Sequence, residues 1–229
     1  MFKKLIYSLV FLFSTTAFSE QYSCPNSFFN GAVPLVKYDQ QLCFKGYSVL
    51  YSYKYKIPVV SAEHLSADDV KGAEEINRKT AFHREQQLPV KYASTPKDYS
   101  HSGYDMGHMT PAGDMANESE QYESFSLSNM TPQTPALNRV TWRRIENTTR
   151  AMAKQYGSIY VVTGSIVNEN SMMLDYSVRI PDVIYKAIYV PSTGKVQIFV
   201  APNDKSKSFT IMIRETFKAT YGIDPFPGI

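Results

Sequence analysis

Between Gly46 and Ala62 the residues Tyr47, Val49, Tyr51, Tyr53 and Tyr55 share one parity, and Ser48, Ser52, Lys54 and Lys56 share the other. A period of two marks a β-strand, because successive side chains leave the backbone on opposite faces. The stretch is predicted as a strand pair with one face packed and one wet. Its regular parity assigns the tyrosines to core packing rather than to stacking on a ligand. Further strands are expected at Ile159 to Ile166, Val178 to Val190 and Lys195 to Pro202, the last two joined by a Ser192-Thr193-Gly194 turn. Pro181 and Asp182 mark an ordinary strand entrance. From Pro135 to Tyr156 the residues Leu137, Trp142, Ile145, Met152 and Tyr156 recur at roughly helical spacing, and Gly157 can supply the stop. A short helix is predicted from Phe209 to Thr220, ending at Gly222. The fold class is α+β, a mixed or antiparallel sheet core with helices.

With 229 residues, 43% of them hydrophobic and 14% aromatic, the chain can bury a sizeable core, which excludes intrinsic disorder and fibrous repeats. Ser66 to Tyr104 is polar and irregular, punctuated by Pro89 and Pro96, and reads as a surface excursion with one helical turn after Ser66. Residues 1–19 join Lys3 and Lys4 to an apolar run from Leu5 to Phe13 and close on Ala17-Phe18-Ser19, the pattern of a cleaved signal peptide. The run is too short for a membrane anchor. Cleavage after Ser19 leaves one domain over 20–229, exported to a periplasmic or secreted location with no membrane anchor. The net charge is +3, from 24 Lys and Arg against 21 Asp and Glu; without Lys3 and Lys4 it is 22 against 21. Any phosphate recognition must then come from local clustering. Cys24 and Cys43 are the only cysteines, and in an oxidising compartment they are expected to pair rather than stay as buried thiols.

The densest chemistry lies in Tyr104-Asp105-Met106-Gly107-His108-Met109-Thr110-Pro111-Ala112, then Ser128-Asn129-Met130-Thr131-Pro132-Gln133, then Asn138 to Glu146. No single residue is decisive; together they supply a base, amide oxygens and an acid. An imidazole titrates near ~6.5, so His108 can accept a proton from water at neutral pH. Asn138 offers a neutral carbonyl oxygen suited to a hard cation that keeps most of its waters. In a continuous α-helix Glu146 would lie ~12 Å along the axis and ~80° around it from Asn138. Either Glu146 acts through water on the ion, or Asn138 sits where the helix has not fully formed. Arg150 can pair with Glu146 on the helix surface or reach a phosphate. His64, His83 and His101 have no partner motif and read as structural.

These three segments resemble the DNA/RNA non-specific endonucleases, whose core is the ββα-metal or His-Me finger. Leu42 to Tyr47, Ile57 to His64 and Tyr221 to Pro227 look like further landmarks of that family, so the resemblance covers nearly all of the mature chain. It implies His108 as general base, Asn138 as direct ligand of Mg²⁺ (or Mn²⁺), Glu146 as holder of metal-bound water, and Asn129 as an active-site contact, with Asp105 in the catalytic set. Arg150 falls where the family has a supporting Arg near the substrate. Arg78 and Arg84, with Lys79 between them, are candidates for a further phosphate contact. The family usually carries Arg where this chain has Met106. Met106 either leaves the site short of a phosphate-facing cation or fills an apolar gap beside Met109.

The expected protein is an exported, Mg²⁺-dependent phosphodiesterase that cuts DNA and RNA with little sequence preference, leaving 5′ phosphates. The rival is a non-catalytic extracellular nucleic-acid-binding or adhesion module on the same scaffold. Retention of His108, Asn138 and Glu146 favours the enzyme. Monomer and homodimer are both compatible with the sequence.

Overall fold

The computed structural model describes residues 24, 26–175 and 177–229, so the expected signal peptide lies outside the described residues. In chain order the elements are β1 (Gln40–Cys43), β2 (Ser48–Ser52), β3 (Ile57–Ser66), α1 (Ala67–Glu75), α2 (Pro96–Tyr99), β4 (Asp105–His108), α3 (Glu118–Ser124), β5 (Met130–Gln133), a π-helical segment Leu137–Trp142, α4 (Arg143–Tyr156), β6 (Ser158–Ile166), β7 (Met173–Leu174), β8 (Val178–Arg179), β9 (Val183–Val190), β10 (Lys195–Pro202), β11 (Thr210–Met212) and α5 (Arg214–Tyr221). Seven strands form one sheet in the order β1-β2-β3-β6-β9-β10-β11, antiparallel at every junction. β4 and β5 form a separate antiparallel pair. The α+β class with an antiparallel sheet core is thus observed.

The sheet is covered on both faces. Val60, Ala62, Val162, Ala187 and Ile198 pack on one side with Phe28, with Phe217 of α5 and with Phe226. Leu65, Val161, Ile188 and Phe199 pack on the other with Leu137, Trp142 and Ile145. This second face supports the site, since α4 and the β4–β5 pair lie over it. The strand pair at 46–62 forms with a turn at residues 53–56, but its second face is not wet. All five residues of β2 are buried, because Tyr47, Val49 and Tyr51 meet Leu88 and Ala93 of the long excursion while Leu50 faces the first cluster. Ser48 and Ser52, expected to be wet, are buried on the face they share with Leu50, where Ser48 Oγ donates to Ser27 Oγ (3.1 Å) and Ser52 Oγ to Asp39 Oδ2 (3.5 Å); a single-strand pattern does not reveal the N-terminal segment that covers them.

Three other boundaries shift. The helical turn after Ser66 is a nine-residue helix with a full capping box, Ser66 accepting from Asp69 N while the Asp69 carboxylate accepts from Ser66 N. Val178 to Val190 breaks at 180–182, where Pro181 has no amide hydrogen for a ladder. The C-terminal helix begins only at Arg214, because residues 210–212 pair with β10 as edge strand β11. It stops at Gly222, whose φ of 68° is the left-handed conformation glycine adopts without strain. Cys24 and Cys43 are joined by a disulfide that ties the start of the described chain to β1.

Candidate active site

β4 runs against β5 with Gly107 opposite Thr131 and His108 opposite Met130. A Cβ at position 107 would come within 2.1 Å of the Gln133 side chain, so only glycine lets β5 close on the strand that carries His108. The His108 ring is 8% exposed and lies edge-on to Phe125, with centroids 5.0 Å apart. Burial first, and the Arg78 charge second, lower its pKa from 6.5 to about 3. The imidazole is therefore neutral at any physiological pH, and its Nε2 has no hydrogen-bond partner.

Asn129 is fully buried and does not line the cavity described below. Its Oδ1 accepts from Ser61 Oγ (3.1 Å) and Thr110 N (3.0 Å), and its Nδ2 donates to the carbonyls of Thr110 (2.8 Å) and Ser124 (2.9 Å). All its polar capacity is spent on Ser61 of β3, the turn that follows His108 and the end of α3. The expectation of direct active-site contact is thereby corrected to a bracing position behind the base.

Asn138 lies in the π-helical segment, whose wider winding ends at Trp142 before α4 begins. The separation worked out for a continuous α-helix therefore does not apply, and the helix at Asn138 is indeed not α-formed. Asn138 and Glu146 line one cavity of about 760 Å³ together with His108, Asp105 and Arg150. Asp105 Oδ2 accepts from Asn138 Nδ2 (2.9 Å), which leaves the Asn138 carbonyl oxygen as the free end of the amide. The same carboxylate takes two bonds from Arg139, at 2.8 and 2.6 Å, and these hold its pKa below the usual carboxylate value.

Glu146, half-buried in the residue sense, has its pKa raised to about 7 by burial, with Lys186 as the strongest opposing charge. Arg150 does not pair with Glu146 on the helix surface. Its Nη1 donates to buried Asp114 (2.7 Å) and its Nη2 to Asn147 Oδ1 (2.6 Å). Arg78 lines the cavity, over the Phe125 ring, whereas Arg84 is not among the lining residues. Met106 lines it too, packed on the cluster of Ile57, Tyr99 and Leu127 rather than beside Met109, which belongs to the cluster under α4.

Arg139 and Arg143 add two exposed cations to the lining that sequence reasoning missed. Also missed were Glu63, Asp114 and Lys186, buried beneath the site. Lys186 donates to Met109 O (3.2 Å) and Thr163 Oγ1 (2.6 Å). A signal existed: a lysine interrupts the otherwise apolar Val183–Val190, and a glutamate sits within the largely apolar Ile57–Leu65. His83 accepts its bland reading, stacked on Tyr122 and bonded to its own loop carbonyl.

The family model of the DNA/RNA non-specific endonucleases matches residues 24–228. The chain belongs to that family. It is 30% identical over 192 residues to Nuclease C1 of Cunninghamella echinulata var. echinulata, covering 77% of this chain and 76% of that protein. It is 32% identical over 171 residues to the mitochondrial nuclease EXOG of Danio rerio, covering 67% of this chain and spanning about half (49%) of that relative's length. Among solved structures, a chain of the EndoG/EndoGI complex superposes with a TM-score of 0.72 at 26% identity, covering 82% of this chain and 85% of that one. Against that family, the nuclease reading of the three motifs stands and the rival adhesion module loses its ground.

Proposed function

We propose that this nuclease is exported, depends on Mg²⁺, and hydrolyses phosphodiester bonds of DNA and RNA with little sequence preference, leaving 5′ phosphates. The observation that carries the reading is the convergence of His108, Asn138 and Glu146 on one cavity whose lining also holds Arg78, Arg139, Arg143 and Arg150. A cation would fit this donor set. The free carbonyl oxygen of Asn138 and the Glu146 carboxylate are hard oxygen donors, and among the described residues no cluster of three His, Cys, Asp or Glu competes as a metal site. A hydrated Mg²⁺ that keeps most of its waters needs few protein ligands; Mn²⁺ would accept the same donors. When bound, the ion supplies positive charge where the transition state and the leaving oxygen become negative.

The protein's own residues then do the following. The arginines draw the phosphate backbone into the cavity, and contacts of that kind carry no sequence information. Neutral His108 takes a proton from the water that attacks phosphorus in line. Phosphate docking against Arg78 offsets the charge that helps depress the His108 pKa, so the base strengthens as substrate arrives. Asp105 fixes the Asn138 amide so that its oxygen, not its nitrogen, is presented.

Export rests on the leader pattern of residues 1–19 and agrees with the Cys24–Cys43 disulfide, a bond that persists in oxidising compartments. Among the described residues no helix is long and apolar enough to cross a membrane. The decisive test is digestion of plasmid DNA and of RNA with and without EDTA, using wild type and His108→Ala. Both substrates should be cut only with metal, and His108→Ala should lower turnover by ~10²–10⁴-fold. Near-normal cutting by His108→Ala on both substrates would remove the base from this mechanism.

A further inference from the structure

Beneath the cavity the sheet carries charges that the mechanism does not use. Glu63 on β3 is 1% exposed and Asp114, in the turn after His108, is 2% exposed. Neither Glu63 oxygen, nor Oδ2 of Asp114, meets a hydrogen-bond donor. Both carboxyls line one small cavity behind the site, near enough to act on each other side chain to side chain. Two carboxylates cannot bond without a proton between them, and like charges at this range do not both ionise. Asp114 has the Arg150 guanidinium against it at 2.7 Å, so Asp114 is the member that ionises and Glu63 the member that keeps the proton.

We propose that Glu63 is a positioning residue for Arg150: as the neutral acid it donates a hydrogen bond to Asp114, and Asp114 in turn holds the guanidinium at the cavity wall. Three further observations fit a guanidinium held in one place. Asn147 Oδ1 accepts from Nη2, Gly113 lacks the Cβ that would sit 3.1 Å from Nη1, and the arginine side chain is only 20% exposed. Removing the Glu63 donor strands one oxygen of Asp114 in the interior, which forces that carboxylate to rotate or to take up the proton itself. Either outcome loosens its grip on Arg150. The inference rests on the reading of Arg150 as a phosphate contact.

The test separates the two. Glu63→Gln keeps a donor of the same length, whereas Glu63→Met keeps the length and removes the donor. With saturating Mg²⁺, Glu63→Met should raise KM about tenfold, the size of one charge-assisted bond, with kcat changed less than about threefold, and Glu63→Gln should restore KM to within about threefold. In an Arg150→Met background, Glu63→Met should add nothing to KM. A Glu63→Gln variant as impaired as Glu63→Met overturns the proposal, and so does a Glu63→Met variant with unchanged KM beside an impaired Arg150→Met. Infrared difference spectra of the folded wild type and Glu63→Gln at pH 9 give a readout free of activity. The wild type should show the carbonyl stretch of a protonated carboxylic acid and the variant should lack it. If the wild type lacks that band, the pair holds no proton and the proposal falls, whatever the kinetics show. If the band is present and Arg150→Met has normal KM, the pair stands and the phosphate role of Arg150 is what fails.

Discussion

Replacing Glu146 with Gln should make the metal-free protein more stable at alkaline pH while abolishing its use as a metal-facing carboxylate. Burial raises the Glu146 pKa from 4.5 to about 7. Below 4.5 the folded and unfolded chains both carry the proton. Between 4.5 and 7 the folded chain binds it more tightly, so the stability this group contributes is present at low pH and is lost as pH rises through 7. The gap sets a ceiling of about 3 kcal/mol, at about 1.4 kcal/mol per pH unit, and part exposure at the cavity reduces the expected gain to about 1–3 kcal/mol. Glutamine cannot ionise and escapes the loss. His108 acts in the opposite sense: with its pKa lowered to about 3, its contribution is present above 6.5 and is lost as pH falls toward 3. Wild-type stability alone would therefore mix two slopes. The measurement is the difference between Glu146→Gln and wild type in urea unfolding with EDTA at pH 4, 6 and 8. It should be near zero at pH 4 and grow in favour of the variant to pH 8. A variant that is less stable at pH 8, or a difference independent of pH, would refute burial as the cause.

Asn138→Ala should raise the Mg²⁺ concentration needed for half-maximal activity, with partial recovery at high Mg²⁺, as a metal titration of initial rates would show. Lys186→Met should destabilise the fold by about 3–5 kcal/mol, since it strands buried acids without their cation; calorimetry or urea unfolding reads this directly. Met106→Arg, its stem lying along the Ile57 and Tyr99 cluster and its head reaching the cavity, should tighten duplex binding in a His108→Ala background. It should also steepen the salt slope by about one, and an unchanged slope in a stably folded variant would place position 106 away from phosphate.

How far the sequence alone reached depends on the range of each signal. Periodicity located β2, β3, β6, β9, β10 and α4, because parity and helical spacing are written in neighbouring residues. It failed where distant segments decide. Ser48 and Ser52 look like a wet face until the segment carrying Ser27 and Asp39 is known to lie against them, and residues 210–212 look helical until β10 offers them an edge. The π-helical winding at Leu137–Trp142 has no local propensity to announce it, yet it settles how Asn138 and Glu146 can share a cavity. His108, Asn138 and Glu146 sit in dense motifs and Arg150 one helical turn beyond them, and the fold brings all four to one cavity. Asn129 sits in such a motif too but is buried behind the base, because a motif does not say whether a residue faces a cavity or the residue behind it. Glu63 and Lys186 were overlooked although each interrupts an apolar strand, and a charge in such a place asks for a partner.

Those two strand residues also bear on why the sheet face under the site is not simply apolar. Under α4 the face is ordinary core, with Val161 and Ile188 against Trp142 and Ile145. Under the turn that follows His108 it changes to Ser61, Glu63, Thr163 and Lys186, of which Ser61 bonds Thr110, Lys186 bonds Thr163, and Glu63 shares a small cavity with Asp114. Ser61 reaches Thr110 and Asn129, and Lys186 holds the carbonyl of Met109, so the backbone just after the base is fixed from below by side chains of two strands, β3 and β9. An apolar face there would bury as much surface and would avoid desolvating two ionisable groups, Glu63 and Lys186, so on stability alone it is the better choice. What it could not do is fix the base, the turn after it and Arg150 relative to one another. A variant with apolar residues at 61, 63, 163 and 186 together should therefore fold at least as stably as Lys186→Met alone, because no charge is stranded on the sheet. It should still lose most of its turnover, and full activity in that variant would show that the polar column plays no part in placing the site.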